Sequence, residues 1–158
     1  MNAYFAGGCF WCITPIFADS KGVRRVISGY CGGLEVNPTY EDVKAQKTGH
    51  RETINVEYDE SVISYSELLE IFLNNVDLYD GEGQYIDRGH SYTLAIYYID
   101  EKQKKIIENR LMKFDKPVCV AVEKFEKFYD AEEYHQDYYL KNPEAFEKEL
   151  VESGRKKQ

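Results

Sequence analysis

The sequence has no run approaching the roughly 18 apolar residues that a membrane-spanning helix needs. It has no excess of cations either: 20 Lys and Arg stand against 28 Asp and Glu, a net charge of −8. Phosphate contacts need clustered positive charge, so the balance argues against binding to a nucleic-acid backbone or an anionic membrane. Met1 to Phe10 holds no Lys or Arg, and no apolar segment with a cleavage site follows. A secretory leader is therefore not expected, and the chain reads as cytoplasmic. Proline is scarce, at four scattered residues, and no Pro/Ser-rich linker, low-complexity tract or internal repeat divides the chain. No Gly-rich dinucleotide fingerprint is present, and no flavin, nicotinamide or metal cofactor is expected on the protein. The 158 residues read as a single domain over 1–152 with a disordered tail over 153–158.

What is present is aromatic and cysteine-bearing. The chain carries 14 Tyr, 8 Phe and a single Trp, enough to line a pocket with rings and hydroxyls. Hydrophobic periodicity alternates between strands and helices. Asn2 to Ala6 and Val23 to Tyr30 read as strands. In Glu52 to Tyr58, Ile54, Val56 and Tyr58 share one face and Thr53, Asn55 and Glu57 the other. Further strands are expected over Thr93 to Ile99 and Val118 to Phe125. Helices are expected over Cys9 to Asp19, from Ser64 or Ser66 to Asn75, from Asp100 onward, over Glu132 to Leu140 and over Glu144 to Val151. The pattern implies a sheet with helices packed on it, an α/β (α+β) domain. Between Val76 and Tyr92, a long stretch rich in Asp, Gly and Tyr has neither period, and loops of that length in a compact domain are usually functional.

Gly7-Gly8-Cys9-Phe10-Trp11-Cys12 carries the chemistry. A strand ends, two glycines turn the chain, and Cys9 falls at the start of a helix. The free backbone N–H groups there favour thiolate over thiol, and thiolate is the nucleophile. Cys9 and Cys12 stand at i and i+3 on one helix face, so a disulfide between them is geometrically accessible. Three other readings of the pair stay open at this point: buried inert cysteines, half of a zinc site that lacks a second tight ligand pair, and a thioredoxin-like disulfide oxidoreductase.

Five segments in order resemble one family, the A-type peptide methionine sulfoxide reductases. They are Gly7-Gly8-Cys9-Phe10-Trp11; Gly29-Tyr30-Cys31-Gly32-Gly33; Asn37-Pro38-Thr39-Tyr40-Glu41-Asp42-Val43 with Thr48-Gly49-His50; Asp87 with Tyr92; and Tyr134-His135-Gln136-Asp137-Tyr138 with Lys141-Asn142-Pro143. The resemblance covers residues 3 to about 146. It implies a two-layer sandwich with a ferredoxin-like split β-α-β core, and thiol-dependent reduction of the S epimer of methionine sulfoxide, free or in protein. In that reading Cys9 attacks the sulfoxide sulfur and becomes a sulfenic acid. Tyr30, Tyr92 and the carboxyl of Asp42, standing where the family usually has Glu, bind and protonate the oxygen. Burial is expected to raise the Asp42 pKa so that it holds a proton. Phe10 and Trp11 accept the methyl group, and Asp87 orients the substrate. Cys12 is the first candidate to resolve the sulfenic acid, with Cys31 or an external thiol as rivals, and Cys119 reads as a buried bystander. Thioredoxin or another dithiol is the implied reductant. His50 reads as a surface histidine, and Tyr134 and His135 as support for the C-terminal segment. A non-catalytic module that binds oxidised methionine is the remaining alternative.

Overall fold

A computed structural model of the chain describes residues 1–155, so Lys156 to Gln158 of the expected tail lie outside the described residues. The elements run β1 (Asn2–Gly7), α1 (Phe10–Ala18), β2 (Val23–Cys31), α2 (Tyr40–Lys44), β3 (Arg51–Tyr58) and α3 (Tyr65–Asn74). They continue with β4 (Gly83–Gln84), β5 (Asp87–Arg88), β6 (Leu94–Tyr98), α4 (Glu101–Leu111), β7 (Val120–Lys124), β8 (Phe128–Asp130), α5 (Tyr138–Lys141) and α6 (Pro143–Glu152).

The main sheet has the order β7-β6-β1-β3-β2-β8. Its centre, β6-β1-β3-β2, is antiparallel throughout, and α1 and α3 supply the two crossovers of a ferredoxin-like split β-α-β. Alternation fixes the two faces. Ala3, Phe5, Val26, Tyr30, Ile54, Val56, Leu94 and Ile96 form the core with Phe17, Leu68, Leu69 and Phe72 from the helices. Phe5 stacks between Phe17 and Phe72 at centroid distances of 5.3 and 5.0 Å. Tyr4, Ala6, Cys31, Ala95 and Tyr97 point to the opposite face, where Phe125 and Phe128 cover them.

The sheet is strongly curled. β7 and β8 lie at opposite edges yet are joined by residues 125–127 alone. A flat six-stranded sheet separates its edges by roughly 24 Å at about 4.8 Å per strand, whereas that link spans at most about 14 Å. Phe125 and Phe128 converge on the Tyr4 ring, at 4.0 and 5.6 Å, inside the curl.

Local sequence explains most element ends. Ser64 and Glu67 close a capping box at the start of α3, and Asp100 caps α4 by accepting from the Gln103 N–H at 2.8 Å. Pro15 is tolerated inside α1 because it forfeits only one intrahelical bond, to the Trp11 carbonyl. The helix expected over Glu132 to Leu140 is broken: a short 3-10 turn spans Glu133–His135, and Asp137 is left-handed at φ 52° before α5 starts. The Gln136 amide is the cause. It accepts from the Ser28 N–H and donates to the Ser28 and Ala131 carbonyls, extending the β2–β8 ladder with a side chain. The aperiodic stretch from Val76 folds over a small β4–β5 hairpin, tied down by Gln84, whose fully buried amide pairs with both backbone groups of Asp77. At the start of the expected tail Ser153 is buried, and Arg155 donates to the Gly7 carbonyl at 2.7 Å. Among the described residues, no helix is long and apolar enough to cross a membrane.

Candidate active site

The β1–Gly7-Gly8–α1 turn delivers Cys9 to the N-cap of α1, where its side chain makes no capping bond. That leaves the first backbone N–H groups of the helix without a side-chain cap from Cys9. One of them, the N–H of Phe10, is taken by Glu52: it donates to Oε1 at 3.2 Å. Glu52 extends from β3 on the same face as Ile54 and Val56, and only 1% of it is exposed. Its Oε2 has no hydrogen-bond partner among the described residues. Burial dominates its chemistry and pushes its pKa up to about 8; the Phe10 N–H opposes this and the charge of Asp87 adds to it. At neutral pH Glu52 is therefore mostly a carboxylic acid.

Cys9 is itself buried. Its thiol donates to Cys12, and this bond, burial and the carboxyls of Glu52 and Asp87 raise its pKa. The helix N-terminus does not make it a resting thiolate. Cys12 is affected in the opposite direction, chiefly because it accepts that same bond.

Two tyrosines face Cys9 and Glu52. Tyr40 opens α2 and Tyr92 ends the 3-10 turn His90–Tyr92; burial, with the charges of Glu52 and Cys9, raises the pKa of both, so both hydroxyls keep their protons. Tyr92 is fixed through its neighbour: the Gln46 amide pairs with the Ser91 N–H and hydroxyl at 3.0 and 2.8 Å. Tyr40 is fixed by Glu132, which accepts from the Tyr40 N–H at 3.1 Å and from the Tyr30 hydroxyl at 2.8 Å.

Rings close the site. Phe10 is fully buried against Tyr30, Tyr40 and His135, and Trp11 stacks on Tyr138 at 4.0 Å and 13°. The Trp11 indole donates to Nδ1 of His135 at 3.0 Å, so that nitrogen is unprotonated and His135 carries its hydrogen on Nε2. Burial pushes the His135 pKa down to about 4, which keeps the ring neutral. Asp87, at the start of β5, is half-buried with Oδ2 unpartnered among the described residues, and burial raises its pKa.

The structure thus brings together Cys9, Phe10, Trp11, Cys12, Asp87 and Tyr92. It does not bring in Asp42, which is exposed in the first turn of α2 with its N–H donating to the Thr39 hydroxyl at 3.2 Å. The buried acid is Glu52 instead, ten residues on and a glutamate after all. Tyr30 is at the wall, but its hydroxyl is committed to Glu132, and Tyr40 presents a hydroxyl in its place. Cys31 follows Tyr30 in β2 and so points to the opposite sheet face, which removes it as a partner for Cys9. Cys119 is exposed rather than buried, because it precedes β7 and lies against Gly81. His50 is buried, its Nδ1 accepting from the Gly33 N–H at 3.1 Å and its Nε2 lying 2.8 Å from the Glu35 carbonyl. Sequence reasoning missed Glu52, Tyr40 and Glu132. The signal for Glu52 was available: one step back from Ile54 along the period-two line puts an acid on the apolar face. Among the described residues, no three His, Cys, Asp or Glu side chains cluster so as to hold a metal ion.

Comparison with known proteins identifies a family. A family model described as peptide methionine sulfoxide reductase matches residues 1–158. A peptide methionine sulfoxide reductase MsrA of Listeria monocytogenes is 45% identical over 160 residues, covering 98% of this chain and 90% of the relative. The Bacillus subtilis MsrA is 44% identical over 159 residues, with 97% and 90% covered. Among solved structures, methionine sulfoxide reductase A of Corynebacterium diphtheriae superposes with a TM-score of 0.82 at 27% identity, over 90% of this chain and 74% of the other. Reduced Mxr1 of Saccharomyces cerevisiae gives 0.79 at 27%, over 91% and 86%. Mxr1 in complex with Trx2 shares the fold, at a TM-score of 0.54. A family model over the full chain and identity of this order make the chain a member of the peptide methionine sulfoxide reductase family and an enzyme that reduces methionine sulfoxide.

Proposed function

We propose that Cys9 is the nucleophile of this reduction and that Glu52, with the hydroxyls of Tyr40 and Tyr92, supplies the hydrogen bonds and the proton for the sulfoxide oxygen. The observation that carries this reading is the burial of Glu52 against the Phe10 N–H, with its second oxygen free. A protonated carboxyl donates to an oxygen that gains negative charge, and does so best in a site closed to water. Cys9 gives up its thiol proton and forms a bond to the sulfoxide sulfur. The oxygen, protonated, passes to the Cys9 sulfur as a sulfenic acid, and methionine leaves. The net step moves one oxygen atom and consumes no external proton. Holding Cys9 as a thiol until substrate arrives keeps the proton where the reaction needs it and protects the sulfur from adventitious oxidation.

Phe10 and Trp11 form the apolar wall for the methyl group, and the unpartnered Asp87 oxygen accepts from the substrate backbone. Cys12 resolves the sulfenic acid: its sulfur attacks Cys9, the S–S bond forms, the S–O bond breaks and water leaves. The resulting disulfide returns to two thiols with an external dithiol, a thioredoxin-type protein being the natural class. A reducing, cytoplasmic compartment suits that cycle. The disulfide-oxidoreductase and binding-module alternatives lose ground to the full-length family match.

The test is methionine release from each separated sulfoxide epimer in excess dithiothreitol. Release from the S epimer alone, abolished in Cys9→Ser, is expected. Release that survives in Cys9→Ser would remove Cys9 from the mechanism.

A further inference from the structure

The C-terminal segment does more than pack. Gly154, left-handed at φ 88°, ends α6 with its N–H on the Val151 carbonyl and turns the chain back toward α1. Arg155 then reaches the turn before the nucleophile. Its Nη2 donates to the Gly7 carbonyl at 2.7 Å, and its guanidinium lies over the Tyr85 ring at 4.8 Å. Gly8 is required there: a Cβ on it would lie 2.6 Å from Nη2 and 2.8 Å from Gln84 Cβ. The buried Nε of Arg155 has no partner among the described residues. Arg155 and Cys12 both line a cavity of about 480 Å³ between α1 and α6, behind the site.

We propose that Arg155 is a positioning residue of the second half-reaction, supporting the negative charge of the Cys12 sulfur across the cavity they share while that sulfur attacks the Cys9 sulfenic acid. The inference rests on the reading of Cys12 as the resolving cysteine. Its force comes from a change in surroundings during turnover. In the resting site Cys12 is stabilised chiefly by the Cys9 thiol hydrogen. Once Cys9 is a sulfenic acid that thiol is gone. The groups then facing Cys12 are Arg155, the carboxyls of Asp87 and Glu149, and Glu52, with Asp19 at the edge of the same cavity. Arg155 is the cation among them. The overall step stays balanced: the Cys12 thiol proton and the hydroxyl of the sulfenic acid leave together as water.

The experiment follows both half-reactions without reductant, with one equivalent of S-sulfoxide, in the full chain. Methionine release reports the first step, and quenched mass spectrometry of the Cys9–Cys12 bridge reports the second, across a pH series. Loss of one opposing charge moves a thiol by a unit or more, so Arg155→Met is expected to slow bridging at neutral pH about tenfold relative to methionine release. Its pH profile for bridging moves upward, and Arg155→Lys, which keeps the charge, returns it most of the way. Bridging in Arg155→Met at the wild-type rate and pH overturns the proposal, as does an equal slowing in both variants with no pH shift, which marks a packing role. A wild type that forms no bridge overturns Cys12 as resolver and this inference with it.

Discussion

A carboxyl group that is 1% exposed keeps its proton at neutral pH unless a cation or several strong donors meet it, and Glu52 has one backbone N–H and, as the weakest influence, the Tyr92 hydroxyl. The tyrosine hydroxyls around it have separable effects. Tyr40→Phe removes a donor aimed at the developing oxyanion and is expected to slow single-turnover methionine release by about 10²-fold. Tyr30→Phe leaves the Glu132 carboxylate short of one partner; it is expected to lower stability by about 1–3 kcal/mol in denaturant titration while slowing methionine release less than Tyr40→Phe does. Equal losses of activity in the two variants would return Tyr30 to the reacting shell. At this scale the sequence was partly legible. Cys9 announces itself by the glycine turn that precedes it, whereas Phe10, Trp11, Asp87 and Tyr92 are singled out by the family resemblance. Glu52 is concealed in a strand that reads as ordinary, and Asp42 draws the role because the resemblance aligns it with the family's glutamate. Only the pleat, followed one residue further, distinguishes them.

Among the elements, β8 has three residues and yet positions half the site. It pairs with β2 through Gly29↔Asp130 and Tyr30↔Tyr129, and the chain that leaves it carries Glu132 and His135 to Tyr40 and Trp11. Gly29 permits that pairing, since a Cβ there would lie 2.3 Å from the Tyr129 carbonyl and from the Phe128 ring. Gly29→Ala is expected to push β8 off the sheet edge, to change Trp11 fluorescence through loss of the His135 bond, and to depress activity with Cys9 intact. Unchanged fluorescence and activity would show that β8 is not what holds His135. Long elements with a clean period, such as β3 and α3, are legible because burial alone specifies them. The short α2 and β8 carry no period of their own, and the break at Gln136 comes from a tertiary bond to Ser28 that overrides a local helical preference.

For the whole molecule, the curled sheet closes the helix-covered face over an acid, and stability is linked to pH through it. The Glu52 pKa is raised from its ordinary 4.5 to about 8 in the folded chain. Between those values the folded state holds a proton that the unfolded state has released, so stability falls as pH rises across that window. Glu52→Gln carries no such proton, and its stability relative to wild type is expected to climb by up to about 1.4 kcal/mol per pH unit between pH 4.5 and 8 and then level off. A difference independent of pH would mean that Glu52 is ionised in the folded protein.

The most direct test of the acid's identity is single-turnover methionine release from the S-sulfoxide, compared in wild type, Glu52→Gln and Asp42→Asn from pH 6 to 10. With Glu52 as the acid, wild-type release declines as pH rises through about 8. Glu52→Gln is then slower by about 10²-fold or more and has lost that limb, and Asp42→Asn follows wild type. A profile in which Asp42→Asn collapses and Glu52→Gln keeps the wild-type rate and limb would contradict the assignment outright.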